Sequence, residues 1–351
     1  MRAETPSQKI IGGVFGLEPG VSTPATSQAF LTETCLLLAT ARSAFRLLER
    51  HLQPRRVWLP SYLCAVMLEA FEQTPIRFYA MDEHLRPADG GWLCEIRPGD
   101  VVVFIDYFGF TFWGEHGREA RRSGAWVVED ACQAMLNDRF SEHSHYVITS
   151  PRKFVGVPDG GVLLAAAGAD LPPCELPAPS AEWWLGALAA AQLRGEFDRH
   201  GGDRAWFPLF QQAEAASPCE PTSMSELSSL LLRHSINYDA VTRRRRENYR
   251  VLASELKHLA MFPDLPSHVT PLGFPIRILD RDRTRHILFG GDIYPPVHWP
   301  LAGAVPAVFT ASHQLSDEIM TLPCDQRYGV GEMQRMVDCL KAAKPVAASV
   351  P

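Results

Sequence analysis

Between residues 36 and 166, short continuous apolar runs alternate with segments of helical spacing, and this alternation limits the possible folds more than any other feature. The runs are Val57-Trp-Leu59, Ile76-Arg-Phe-Tyr-Ala80, Val101-Val-Val-Phe-Ile105, Trp126-Val-Val128, Tyr146-Val-Ile-Thr149 and Val162-Leu-Leu164. A strand that is apolar on both sides must be covered on both faces, as in a parallel sheet whose crossover helices lie above and below it. The segments Leu36–Leu52 (through Phe45, Leu48 and Leu52), Cys64–Phe71 and Glu115–Ser123 read as helical. The expected fold class is therefore α/β: a mainly parallel sheet flanked by helices, with a smaller α+β C-terminal domain. Residues 167–222, rich in Ala, Pro and aromatics, read as an excursion over the sheet. Helical spacing returns from Ser223, and Phe274-Pro-Ile-Arg-Ile278 marks the small terminal unit. The expected boundaries are a large domain at 1–236 and a small domain at 237–351. In such sheets ligands bind at the carboxyl ends of the strands.

Bulk properties narrow the function classes. With 46% hydrophobic and 21% charged residues, the chain can bury a core and is not generically disordered. A net charge of −6 argues against non-specific nucleic-acid binding. The basic run Arg243–Arg246 reads as the solvated face of a helix. No apolar stretch is long enough to span a bilayer, so no membrane partner is expected. The N-terminus, MRAETPSQKIIGG, lacks the pattern of a secretory signal. Eight cysteines are scattered without a C-x-x-C pair, and Ser141-Glu-His-Ser-His145 reads as a polar loop, so no metal is expected. Together these point to a reduced, cytoplasmic protein.

Two stretches carry chemistry. In Ser150-Pro-Arg-Lys153-Phe-Val-Gly-Val-Pro-Asp159-Gly160-Gly161, a lysine leaves a strand end ahead of a glycine-rich turn. A lysine so placed can project into a cleft, and a desolvated lysine can form a Schiff base. In Trp126-Val-Val-Glu129-Asp130-Ala-Cys132-Gln133-Ala134, an acidic pair closes another strand. A carboxylate there can hold a pyridinium nitrogen, or equally cap a following helix. Trp183 and Trp184 read as packing or interface residues.

The order of these stretches, with Glu129-Asp-Ala-Cys-Gln-Ala134 ahead of Lys153 and its Asp-Gly-Gly turn, resembles the DegT/StrS-type sugar aminotransferases of pyridoxal-phosphate fold type I. Further matches follow in the family's order. They are Ala39-Thr-Ala-Arg-Ser-Ala-Phe-Arg-Leu47, Leu59-Pro-Ser-Tyr62, Met224-Ser-Glu-Leu227, Arg245-Arg-Glu-Asn-Tyr249 and Leu322-Pro-Cys-Asp-Gln-Arg-Tyr328. The resemblance implies pyridoxal 5'-phosphate as cofactor. Lys153 would hold it covalently and shuttle a proton, Asp130 would support its ring nitrogen, and Gln133 would lie near the ring hydroxyl. Ala41, Arg42 and Ser43 would hold the phosphate at a helix start, joined by Ser150, while Tyr62 or Cys64 stands where an aromatic residue usually stacks on the ring. Arg152 and His298 are candidate substrate contacts. The implied reaction moves an amino group from an amino-acid donor, glutamate, to a nucleotide-linked keto-sugar acceptor, in a homodimer.

The sequence also departs from the family's pattern. Ala41-Arg42 replaces glycine-threonine, and Cys64 replaces the aromatic. Ile148 replaces a serine five residues before the lysine, and Glu220-Pro-Thr-Ser223 replaces the G-x-N-x-R stretch that reaches the partner subunit. Two alternatives stay open: a sugar dehydratase, whose relatives carry histidine at the lysine position, and a non-catalytic sensor or assembly subunit on the same fold.

Overall fold

The apolar runs become the strands of one sheet. The computed structural model describes residues 9–19, 28–166, 168–173 and 175–348; Cys174 and the first eight residues of the N-terminus lie outside it. A short β1 (Ile11–Gly12) precedes the sheet strands β2 (Leu36–Leu38), β3 (Val57–Pro60), β4 (Ile76–Tyr79), β5 (Val101–Ile105), β6 (Trp126–Asp130), β7 (Tyr146–Thr149) and β8 (Gly161–Ala165). Their spatial order is β2-β8-β7-β6-β5-β3-β4. All neighbouring pairs are parallel except those of β8, which runs antiparallel to both β2 and β7. Every residue of β5 and β7 is buried, as continuous apolar runs require.

The stretch Leu36–Leu52 divides rather than forming one helix. Leu36–Leu38 pairs with β8, and helix α1 (Ala41–Leu52) begins only after Thr40, whose hydroxyl accepts the Ser43 N–H at 3.0 Å. That side-chain cap satisfies a free donor of the first turn and fixes the start of the helix. Cys64–Phe71 forms a 3₁₀ turn over Ala65–Ala70, and α2 (Gly114–Arg122) covers β6.

The excursion over residues 167–222 contains a helical hairpin, α3 (Ala181–His200) and α4 (Trp206–Ala215). Buried Trp183 ties its two arms together, donating its indole N–H to the Ala213 carbonyl at 2.9 Å. Trp183 is therefore a packing residue. Next come α5 (Glu226–His234) and α6 (Tyr238–Leu256). The remainder contains β9 (Phe274–Arg277), α7 (Arg281–Phe289), β10 (Ile293–Tyr294), α8 (Thr310–Glu318), β11 (Ile319–Leu322) and α9 (Val330–Ala343). β9 pairs antiparallel with β11, while β10 pairs parallel with β1, so the N-terminal segment is stitched to the last third of the chain.

The basic run on α6 departs from the solvated face expected of it. Arg245 is fully buried, and its guanidinium donates to the carbonyls of Phe154, Pro271 and Leu272 and to Gln326 at 2.9–3.2 Å. It also lies over the Phe154 ring at 4.7 Å. Arg246 reaches the carbonyls of Pro266 and Val269. Half the run is thus a clamp on irregular backbone, supplying donors to carbonyls outside the regular elements.

Candidate active site

β6 and β7 lie side by side at the centre of the sheet, with Asp130 in register with Ile148. Asp130 ends β6, and Lys153 closes the 3₁₀ turn Pro151–Lys153 that follows β7. Both candidates therefore stand at the carboxyl edge of adjacent parallel strands, where an α/β sheet opens its crevice. No helix follows Asp130. One carboxylate oxygen accepts the Cys132 N–H at 3.0 Å in a local turn, and the Cys132 thiol also bonds the carboxylate. Lys153 is exposed, and its amine likewise has no partner among them. The two charges share one locality: burial raises the pKa of the Cys64 and Cys132 thiols, and both Asp130 and Lys153 act on each.

Lys153 opens into a cavity of about 510 Å³. Cys64, Ser150, Arg152 and His298 line the same cavity. His298 bonds Thr321 Oγ1 through Nδ1 at 2.9 Å and packs edge-on to Phe108. Burial, with the charge of Lys153, pushes its pKa down to about 3, so the ring is neutral at physiological pH. Tyr62 lies deeper. It is fully buried beside Tyr107 and Trp299, with its hydroxyl on the His298 carbonyl. At the stacking position, then, Cys64 reaches the cavity wall and Tyr62 supports the loop that carries His298.

The Asp-Gly-Gly turn aligns these pieces. Gly160 donates its N–H to the Ala39 carbonyl at 2.8 Å. A Cβ on Gly161 would stand 2.3 Å from the Thr40 carbonyl oxygen, a distance no side chain tolerates. Glycine thereby lets β8 press against the start of α1. Asp159 is fully buried and accepts from the Ser225 N–H at 2.7 Å and from the Ser225 and Ser228 hydroxyls at 2.5 Å each. Ser225 is also the N-cap of α5. Two motifs more than sixty residues apart thus form one structural unit around a carboxylate.

The start of α1 is partly occupied by its own chain. Thr40 and Ser43 donate hydroxyl protons to the Pro218 and Glu220 carbonyls at 2.8–3.2 Å. Arg42 pairs with Glu69 and with Ser217. The backbone N–H groups of Ala41 and Arg42 have no partner among the described residues, as first-turn donors usually do not. None of these three α1 residues lines the cavity. Arg152 does, and it pairs with Glu214 of α4. Burial alone would raise Glu214, but Arg152, followed by Arg42 and Lys153, outweighs it and holds the carboxyl below its usual range.

Three buried donors at the ends of β6 and β7 have no partner among the described residues. Gln133 gives its amide oxygen to the Phe108 N–H at 2.7 Å, while its Nε2 is buried without a partner. Thr149 Oγ1 and Arg152 Nε are orphaned in the same way. Native proteins rarely leave such groups unsatisfied. The tertiary structure also adds residues that sequence reading missed. Asp325 and Arg327, in the Leu322–Tyr328 motif, pair through two bonds of 2.9 Å, and Arg327 binds the carbonyls of Gly13 and Val14 on the cavity rim. Glu214, Arg285 and Trp299 also line the cavity. No local spacing marked Glu214 and Arg285, because each is brought in from a distant element. Ser141 and Ser144, in the polar loop, bond buried Glu129 at 2.9 and 2.5 Å.

No family model and no curated protein matches this sequence. Solved structures do match along most of it. S. venezuelae DesV, in complex with a ketimine intermediate, aligns with a TM-score of 0.65 at 19% identity, over 91% of this chain and 87% of that one. A DegT DnrJ EryC1 StrS aminotransferase from Brucella abortus aligns at 0.60 and 17%, over 88% and 85%. DesI, in the presence of its TDP-sugar product, aligns at 0.62 and 17%, over 88% and 80%. Other matches are solved in pyridoxal-phosphate and pyridoxamine-phosphate forms. At these identities the likeness establishes architecture, and this chain has the fold of the sugar aminotransferases of fold type I.

Proposed function

We propose that the chain is a pyridoxal-phosphate-dependent aminotransferase that transfers an amino group from an amino-acid donor, glutamate, to a nucleotide-linked keto-sugar. The observation that carries this reading is the pair of groups at the ends of neighbouring strands, the Lys153 amine and the Asp130 carboxylate. The orphaned donors fit the cofactor's acceptors. Gln133 Nε2 suits a ring oxygen. Ser150, Arg152, Thr149 and the free N–H groups of Ala41 and Arg42 suit a phosphate at a helix start. Cys64, backed by Tyr62, would face the ring, and Arg42 and Ser43 would join the cup only by releasing Glu69, Ser217 and the Pro218 and Glu220 carbonyls.

When bound, the cofactor supplies an electron-withdrawing ring that stabilises negative charge on the substrate carbon. Asp130 keeps a proton on the ring nitrogen, and Lys153 Nζ removes and returns the proton at the substrate carbon. Arg152 and neutral His298, which line the cavity, would contact the substrate. Val14, Phe15, Phe210 and Trp299 form an apolar part of the cavity wall.

The same reading includes a homodimer in a reducing, cytoplasmic setting. All seven described cysteines are free, in keeping with that compartment. No described helix is long and apolar enough to cross a membrane.

The purified protein is expected to carry a visible absorption band that borohydride reduces, and Lys153→Ala to lose it; an unchanged band would place the attachment elsewhere. Incubation with labelled glutamate should yield 2-oxoglutarate and pyridoxamine phosphate. An acceptor screen setting keto-sugar nucleotides beside simple keto compounds then tests the acceptor.

A further inference from the structure

Five basic side chains line the cavity: Arg152, Lys153, Arg245, Arg285 and Arg327. Three are already matched. Arg152 faces Glu214, Arg327 faces Asp325, and Arg245 spends its donors on carbonyls and Gln326. Lys153 has the role proposed above. Arg285, on α7, is different. Its Nε donates to the Pro295 carbonyl at 3.1 Å, and its guanidinium lies 5.0 Å from the Phe289 ring centroid. These two contacts orient the side chain, while both terminal nitrogens have no partner among the described residues. The carboxylate nearest on its own helix, Asp282, is engaged by Arg281 at 2.9 Å. A half-buried guanidinium, held at one nitrogen and open at two, has the planar fork that takes two oxygens of a carboxylate or phosphate.

We propose that Arg285 is a specificity-determining residue that binds an oxyanion of the substrate in this cavity, from helix α7. This rests on the aminotransferase reading for the word substrate, and the subsite itself does not depend on it. The oxyanion has two possible sources with shared chemistry, the carboxylate of the amino-acid donor and the diphosphate of a nucleotide-linked acceptor. Arg281 and Asp282, on the same helix, also act on Arg285, while Tyr294, Pro295, Pro296 and Trp299 line the same cavity and carry no formal charge.

The test is titration of the cofactor-loaded protein with glutarate and, separately, with thymidine diphosphate, neither of which can react. Binding is followed calorimetrically in wild type, Arg285→Gln, Arg285→Lys and Arg283→Gln. Arg283 sits on the same helix, exposed and paired with Asp280, and serves as the control. Arg285→Gln is expected to weaken at least one ligand by roughly ten- to a hundredfold, with partial recovery in Arg285→Lys and no change in Arg283→Gln. Selective loss of glutarate identifies the donor carboxylate, and selective loss of thymidine diphosphate identifies the acceptor. Equal affinities in wild type and Arg285→Gln, or binding of neither ligand by the wild type, overturn the proposal. If labelled glutamate yields no 2-oxoglutarate while Arg285→Gln still loses the anion, the aminotransferase reading falls and the subsite stands.

Discussion

Asp159 shows how much one carboxylate can organise. It has no access to solvent, and three donors from the start of α5 converge on it. Hydrogen bonds to a buried charge are among the stronger individual contributions. An asparagine there would turn an amide N–H₂ toward donors it cannot accept. Asp159→Asn is expected to cost about 3 kcal/mol of stability, read from the denaturant midpoint, and to weaken cofactor retention because the turn beside Gly161 loosens. A variant with wild-type stability would mean that the three bonds are replaceable. The same residue shows the limit of local reading: in the sequence it is only the first member of an Asp-Gly-Gly turn, and its partners lie at Ser225 and Ser228.

At the scale of elements, the α3–α4 hairpin is the main addition to the sheet. It forms one wall of the cavity through Ala187, Ala190, Ala191, Phe210 and Ala213, and it delivers Glu214 to Arg152. Small residues on α3 allow that wall to approach closely, while Trp183 anchors the two arms. Trp183→Ala removes a large buried side chain and orphans the Ala213 carbonyl. A loss of about 3–5 kcal/mol is expected, with faster proteolysis between residues 181 and 215 than elsewhere. Uniform protection across the chain would show that the hairpin does not open separately. The alanine- and proline-rich composition of this region marked it as an excursion. Composition alone could not show that it folds back over the cavity, because α3 has no single apolar face to point inward.

Across the whole molecule, buried titratable groups give the protein a stability that depends on pH in two directions. Asp106 and Glu129 are both buried at the ends of β5 and β6. Burial and then the neighbouring Glu129 raise Asp106 well above the ordinary carboxylate range, and burial also raises Glu129. Above that ordinary range the folded protein keeps a proton that the unfolded chain has released, so stability falls as pH rises through the window. His298 acts oppositely. Its folded value of about 3 lies below the 6.5 of a free histidine, so the unfolded chain gains a proton first and stability falls as pH drops from about 6.5. The stability difference between Asp106→Asn and wild type should therefore shift in favour of the variant as pH rises from 4.5 to 8. Chemical denaturation at several pH values measures it; a difference independent of pH would exclude a proton retained at the pair.

The sequence by itself determined the sheet, because a strand buried on both faces must be apolar throughout and its run stays visible without any partner. It also determined the order of Asp130, Lys153 and the Asp-Gly-Gly turn, since strand-end chemistry is local. The split of Leu36–Leu52 was hidden, because three leucines satisfy a strand and a helix equally until β8 pairs with them. Only the tertiary structure decided that Arg245 is a buried clamp, that Tyr62 supports while Cys64 faces the cavity, and that Thr40 and Ser43 hold the chain's own carbonyls. It alone brought Glu214 and Arg285 to the cavity from elements far apart in the chain. Contacts of that kind depend on how finished elements dock, and side-chain spacing along a single segment contains no information about its docking partner.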